Sequence, residues 1–173
     1  MLFRSVELAR QILSLQDLQD VAAGTTINVG VVQGGTTTNV VPAHASAETD
    51  VRVASQSEEA RIESALRTLV PITSANRLTL TGSFNRPPME RTPANVSLFE
   101  KARQLARTGG LGFELTEGAT GGGSDGNFTS ALGIPTLDGL GARGAGAHAD
   151  DEHVLLSSLP ERATLMHLLL RGL

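Results

Sequence analysis

Residues 25–53 hold two runs that alternate with period two, and segments of helical spacing lie on either side of them. Thr25 to Val32 (TTINVGVV) is rich in β-branched residues, which favour a pleated, half-buried strand. Gln33-Gly34-Gly35-Thr36 supplies a turn, and Ala43 to Val53 (AHASAETDVRV) alternates again and suits pairing with the first run. Pro42 has no N–H to give to a ladder, so it marks a bulge, an edge or a strand start. Before this hairpin, Val6 to Leu18 places apolar residues at 6, 9, 13 and at 8, 12, 15, a broad helical stripe. After it, Ser55-Gln56-Ser57-Glu58 is a capping box for a helix over residues 60–70 that Pro71 closes. Arg77 to Phe84 (RLTLTGSF) predicts a third strand. This half therefore reads α-β-β-α-β, a two-layer α+β arrangement.

Arg86-Pro87-Pro88 breaks the pattern and marks a domain boundary, giving units over 6–86 and 87–173. Thr92-Pro93 then opens a helix, with threonine as cap and proline at the first helical position. It runs to about Arg107 and stops at Gly109-Gly110. Phe113 to Thr116 and Ile134 to Leu137 predict short strands, the second parallel to its neighbour because a helix over 127–132 intervenes. Ser158-Leu159-Pro160-Glu161 is a second capping box, for a last helix that Gly172 ends. Each half lacks part of a complete sheet, so both are expected to be cut domains. Leu2-Phe3-Arg4-Ser5 is what a common sequencing adapter encodes in one frame, so residues 1–5 are expected to be non-native.

The chain has 173 residues, 40% apolar and 18% charged, enough to build a core. Its net charge of -4 and its lack of Trp and Tyr argue against nucleic acid as a partner. No stretch approaches the roughly 20 apolar residues of a membrane span, so no membrane partner is expected. The absence of cysteine excludes disulfides and thiolate zinc sites and suits a reducing, cytoplasmic location.

The residues that suggest chemistry lie late in the chain. Gly121 to Asn127 (GGGSDGN) strips side chains from a loop, so that backbone can come close to a ligand. It has neither the lysine nor the spacing of a phosphate cradle. His148 follows Asn127 by 21 positions and opens the run HADDEH, a histidine set among carboxylates. Such an imidazole suits a metal, and a solvated polar loop is the plainer reading. A mononuclear site of His148, Asp150 and Glu152 is disfavoured because neighbouring residues seldom point at one ion. His44 in an alternating strand, His153 before an apolar run and His167 on an amphipathic helix read as structural or surface residues. Asn39 suits clamping a carbonyl, or simply satisfying turn backbone. Arg52 and Arg86 suit gripping a carboxylate with a bidentate fork, although surface ion pairs are commoner.

Taken in order, Asn39-Val40-Val41-Pro42-Ala43, Asp50-Val51-Arg52, Arg86-Pro87, Thr120 to Asp125 and Gly146-Ala147-His148 with Asp151-Glu152 resemble one family. It is the di-zinc exopeptidases and amidohydrolases that include glutamate carboxypeptidase, aminoacylase and succinyl-diaminopimelate desuccinylase (peptidase family M-twenty). Gly139-Leu140-Gly141 makes the glutamate carboxypeptidase branch the nearest likeness.

The resemblance implies an α/β chain: a ferredoxin-like α+β lid, which dimerises, followed by the C-terminal part of an α/β zinc-exopeptidase catalytic domain. It implies hydrolysis of amide bonds in peptides or N-acyl or N-carbamoyl amino acids that bear a carboxylate. Two zinc ions would serve each complete site, with cobalt or manganese as substitutes. His148 matches the last zinc ligand. Asn39, Arg52 and Arg86 match lid residues that contact the substrate, and Gly121, Gly122 and Gly123 match the wall beside it. The family's other ligands and its glutamate general base find no counterpart in residues 1–173. The implied protein is therefore a homodimeric metallohydrolase of which this chain alone is inactive. A non-catalytic dimerisation or binding module derived from such an enzyme is the alternative.

Overall fold

The computed structural model describes residues 3–173, so Met1 and Leu2, part of the stretch expected to be non-native, lie outside the described residues. The chain forms two compact units, the first running to Glu90 and the second from Arg91 to Leu173. It is a mixed helix-and-strand protein with two small antiparallel sheets among the described residues.

The first unit contains α1 (Arg4–Gln16), β1 (Thr26–Gly34), β2 (Ala45–Arg52) and α2 (Gln56–Arg67). The two alternating runs pair as expected, antiparallel, from Thr26 opposite Arg52 to Gly34 opposite Ala45. Gly30 is left out of the register between Val29 and Val31, which makes a bulge there. Ser55 caps α2, its hydroxyl accepting the Glu58 amide at 3.2 Å. Helix α1 packs on both strands. Its stripe divides: Leu8, Ile12 and Leu15 are half-buried, while Val6 and Leu13 stay exposed.

The apolar core of this unit is thin, with Ile27 of β1 and Ile62 of α2 as its buried members among the described residues. Polar ties supplement it. The buried Glu7 carboxylate accepts the Ile72 amide at 2.8 Å, the Thr73 amide at 3.0 Å, Asn76 Nδ2 at 3.1 Å and Gln11 Nε2 at 2.9 Å. Burial works to raise its pKa, but these four donors outweigh it and hold the carboxyl at about 2. Gln11 also donates to the Val70 carbonyl at 2.9 Å, so two turns of α1 grip the segment that follows α2. On the other side, the buried Thr25 hydroxyl donates to Glu58. Arg61 donates to both oxygens of Glu58 and, at 2.9 Å, to the Leu18 carbonyl. These bonds fasten the 17–25 turn to α2.

The expected third strand over Arg77–Phe84 is not formed, since none of its residues joins a ladder. Alternation confers a propensity, but a strand also needs a partner edge in register. Gly82, with φ at 107°, lies outside the extended region and interrupts the run.

The second unit contains α3 (Pro93–Thr108), α4 (Gly126–Ala131), β3 (Gly144–Ala145), β4 (His153–Val154) and α5 (Ser158–Gly172). Helix α3 starts as expected, with the Thr92 hydroxyl accepting the Asn95 amide at 3.1 Å and Pro93 at the first position. Ala102 and Ala106 of α3 pack against Leu165 and Leu169 of α5, with Leu105, Phe113, Leu115 and Leu137 half-buried around them. The small alanines allow the helices to approach closely.

Phe113–Thr116 and Ile134–Leu137 deliver those side chains without becoming strands, and no parallel pairing occurs among the described residues. Side chains take the hydrogen bonds a ladder would have used. The Thr136 amide donates to Asn95 Oδ1 at 2.9 Å, and the Thr136 hydroxyl donates to the Ile134 carbonyl at 2.8 Å. The second capping box is also absent. Ser158 is fully buried, and its hydroxyl donates to the Leu155 carbonyl at 2.6 Å while accepting the Arg143 amide at 3.0 Å. Glu161 pairs instead with Arg143 at 3.0 Å.

Replacing Glu7 with glutamine is expected to destabilise the first unit by about 1–3 kcal/mol at pH 7, the usual cost of under-satisfied buried donors. The Glu7 carboxyl lies lower in the fold, at about 2, than its ordinary 4.5. Its stabilisation is therefore complete above about 4.5 and fades as pH falls toward 2. Urea denaturation of both proteins at pH 7 and pH 3 checks this: the gap between them narrows at the lower pH. An unchanged gap contradicts it.

Candidate functional site

The late histidine sits on a small clamped hairpin that the sequence did not announce. Strands β3 and β4 pair Gly144 with Val154 and Ala145 with His153, leaving residues 146–152 as the connecting turn. The pairing is close: a Cβ on Gly144 would lie 2.1 Å from the His153 carbonyl oxygen. Only glycine fits there. Gly146 takes φ of 70° and packs against Asp151, whose Oδ1 would lie 2.9 Å from an added Cβ. The Ala149 amide donates to the Gly146 carbonyl at 2.8 Å and the Glu152 amide to the Ala149 carbonyl at 3.1 Å. At the base, the Leu155 amide donates to the Arg143 carbonyl at 2.8 Å, and Ser158 locks both ends to the start of α5.

His148 projects from this turn with φ of 67°, the single non-glycine residue in the left-handed region among the described residues. It is exposed, and its amide donates to Glu152 Oε2 at 3.2 Å. Glu152 is thus committed to the backbone of the turn. Among the described residues no three His, Asp or Glu side chains converge on a point where an ion could sit. The trio His148, Asp150 and Glu152 does not assemble.

The other histidines are spread out. His44 is exposed just before β2 rather than within a strand. His153 opens β4, with Nδ1 at 2.9 Å from the Asp151 carbonyl oxygen, and His167 is exposed on α5. One imidazole fits one coordination position, whereas a catalytic zinc takes about three protein ligands. Among the described residues, no set of side chains supplies those three positions.

The glycine loop leads into α4. The Ser124 amide donates to Asn127 Oδ1 at 2.8 Å and the Gly126 amide to Ser124 Oγ at 3.1 Å. Asp125 occupies the cap position without a side-chain cap bond. Gly121, Gly122 and Gly123 are exposed, and none has positive φ. A Cβ on Gly122 would have its nearest neighbour, Thr120 Oγ1, at 3.8 Å. Neither backbone conformation nor crowding requires glycine at that position.

In the first unit, Asn39 is exposed in the loop between β1 and β2, where its Oδ1 accepts the Thr37 hydroxyl at 3.4 Å. Arg52 ends β2 at the opposite end of the hairpin, with Nε on Asp50 Oδ2 at 2.7 Å. Seven steps of about 3.3 Å put Ala45 and Arg52, the two ends of β2, roughly 23 Å apart. Arg86 is half-buried two residues before the buried Pro88. Sequence reasoning missed Asn95, and gave Ser158 a helix cap in place of the bracing role it takes in the second unit. The one sequence signal for Asn95 was polarity near the start of an apolar helix face.

Residues 5–76, less than half of the chain, match the family model of the peptidase dimerisation domain. The matched stretch spans α1, β1, β2 and α2. That domain is a ferredoxin-like α+β fold, of which these elements are an α-β-β-α portion. The match supports the peptidase family that the motifs resemble, a hydrolase origin and a homodimer. No protein with a curated description matches the chain.

Replacing Gly144 with alanine is expected to cost the second unit about 1–3 kcal/mol, as overpacking against backbone does. Replacing Gly122 with alanine is expected to stay within about 0.5 kcal/mol. Chemical denaturation of the two variants checks the ranking, and a larger loss for the Gly122 variant contradicts it.

Proposed function

We propose that this chain is part of a metal-dependent hydrolase that cleaves amide bonds of peptides or of N-acyl or N-carbamoyl amino acids. Its first unit, with a boundary near residue 86, serves as the lid and joins two copies. Its second unit belongs to the catalytic domain and contributes His148 as one ligand to a zinc pair that cobalt or manganese can replace. Asn39, Arg52 and Arg86 grip a substrate carbonyl or carboxylate, and Gly121 to Gly123 form a wall beside it.

The match of residues 5–76 to a peptidase dimerisation domain carries this proposal. Two further observations support it. His148 is held in a left-handed conformation on a clamped turn, and backbone strain of that kind concentrates at functional sites. Gly122 is exposed and uncrowded, so its backbone is open to a ligand lying against it. The other metal ligands and the general base come from residues outside these 173, in the same polypeptide or another. No chemical step is assigned to this chain alone.

The absence of a convergent ligand trio among the described residues favours a second reading, a non-catalytic dimerisation or binding module. Both readings share the self-association surface. Val31 and Val32 of β1, with Val40 and Val41 beyond the strand, are exposed apolar side chains on a sheet whose outer edges carry no partner among the described residues. A second copy covers the β1 side.

Sedimentation of the purified chain at micromolar concentration is expected to give a dimer, and Val32→Lys to shift it toward monomer. Assays of N-acyl and N-carbamoyl amino acids and dipeptides with zinc or cobalt are expected to show no turnover. A wild-type monomer contradicts the lid assignment. Turnover that tracks metal contradicts the shared-site assignment.

A further inference from the structure

We propose that Glu152 is the positioning residue for His148: its carboxylate holds the His148 amide and so fixes the left-handed backbone from which the imidazole projects. A left-handed conformation is unfavourable for a residue with a side chain and persists only where the surroundings over-determine it. The turn supplies that determination in layers. Gly144 closes the hairpin base, Gly146 turns the chain at φ of 70°, and the Ala149 and Glu152 amides complete two local bonds.

Of these contacts, the one made to His148 itself is the 3.2 Å bond from its amide to Glu152 Oε2. No arginine or lysine engages that carboxylate among the described residues. Its hydrogen-bonding capacity is directed at the turn. Glycine would sit at position 148 without strain, whereas histidine at φ of 67° needs a contact that holds it there. A charge-accepted amide bond is also stronger than a neutral one, which suits a carboxylate to the task. The role presupposes the ligand function of His148 proposed above, and it adds a residue that acts through His148 without touching substrate.

The test uses the full 173-residue chain and two variants, Glu152→Ala and Glu152→Gln. Proton NMR reads the strong intraresidue amide–Hα cross-peak that marks a residue with positive φ. Wild type and Glu152→Gln, which keeps an acceptor oxygen, are expected to show it at His148. Glu152→Ala is expected to lose it while the cross-peaks of α5 remain in place. Retention of the signature in Glu152→Ala overturns the proposal.

Titration with Co2+ alone gives a second readout that a purely structural role would not move. Paramagnetic broadening of the His148 ring protons is expected in wild type and in Glu152→Gln, and to diminish in Glu152→Ala. Equal broadening in all three proteins overturns the positioning role. If wild type keeps the backbone signature but His148 shows no broadening, one imidazole without its partner ligands does not retain Co2+, and the backbone signal alone decides the role of Glu152: its loss in Glu152→Ala supports the proposal and its retention overturns it.

Discussion

A carboxylate buried against four donors organises everything those donors belong to, and in the first unit that carboxylate is Glu7. It joins α1 to residues 72–76 across a sequence separation that no ladder spans. With Ile27 and Ile62 as the buried apolar core, hydrophobic burial alone is a weak clamp. The Glu7 and Glu58 clusters supply directional ties where the core is thin. A uniquely placed α1 in turn fixes which face of the β1–β2 hairpin is covered and which is left open.

The open face connects fold to function. A two-stranded sheet is marginal in isolation, and exposed edges and valines invite a further partner. The segment that matches a peptidase dimerisation domain exposes Val31 and Val32 on β1, which is consistent with the self-association proposed for it. In the second unit the same economy appears in another form. The α3–α5 pair closes over alanines, and the clamped β3–β4 hairpin hangs from the start of α5 through Ser158. His148 is thereby carried on a turn whose geometry is set by glycines at 144 and 146 and by Glu152.

What the sequence disclosed follows from which signals are local. The helix starts at Ser55 and Thr92 were legible because a cap bond joins residues three apart. The β1–β2 pairing was legible from two alternating runs with a turn between them. Arg77–Phe84, Phe113–Thr116 and Ile134–Leu137 have strand-like composition, but a ladder depends on a distant edge that composition does not encode. At Thr136, one buried asparagine, Asn95, took the amide instead. The box at Ser158 failed for a related reason: its hydroxyl was claimed by Leu155 and Arg143, contacts set by the hairpin and not by the helix. His148 was legible as a residue type in a suggestive run. Its left-handed backbone and its hold by Glu152 were not, because both arise from the pairing of β3 with β4.

Hydrogen exchange of the intact chain at low and high protein concentration tests the central claim, that the open β1 side of the first unit is covered by a second copy. The account predicts that β1 amides facing away from β2 gain protection as concentration rises, while the Ile72 and Thr73 amides on Glu7 stay protected throughout. Exchange along β1 that is independent of concentration, with no other amides of the first unit gaining protection, would contradict it.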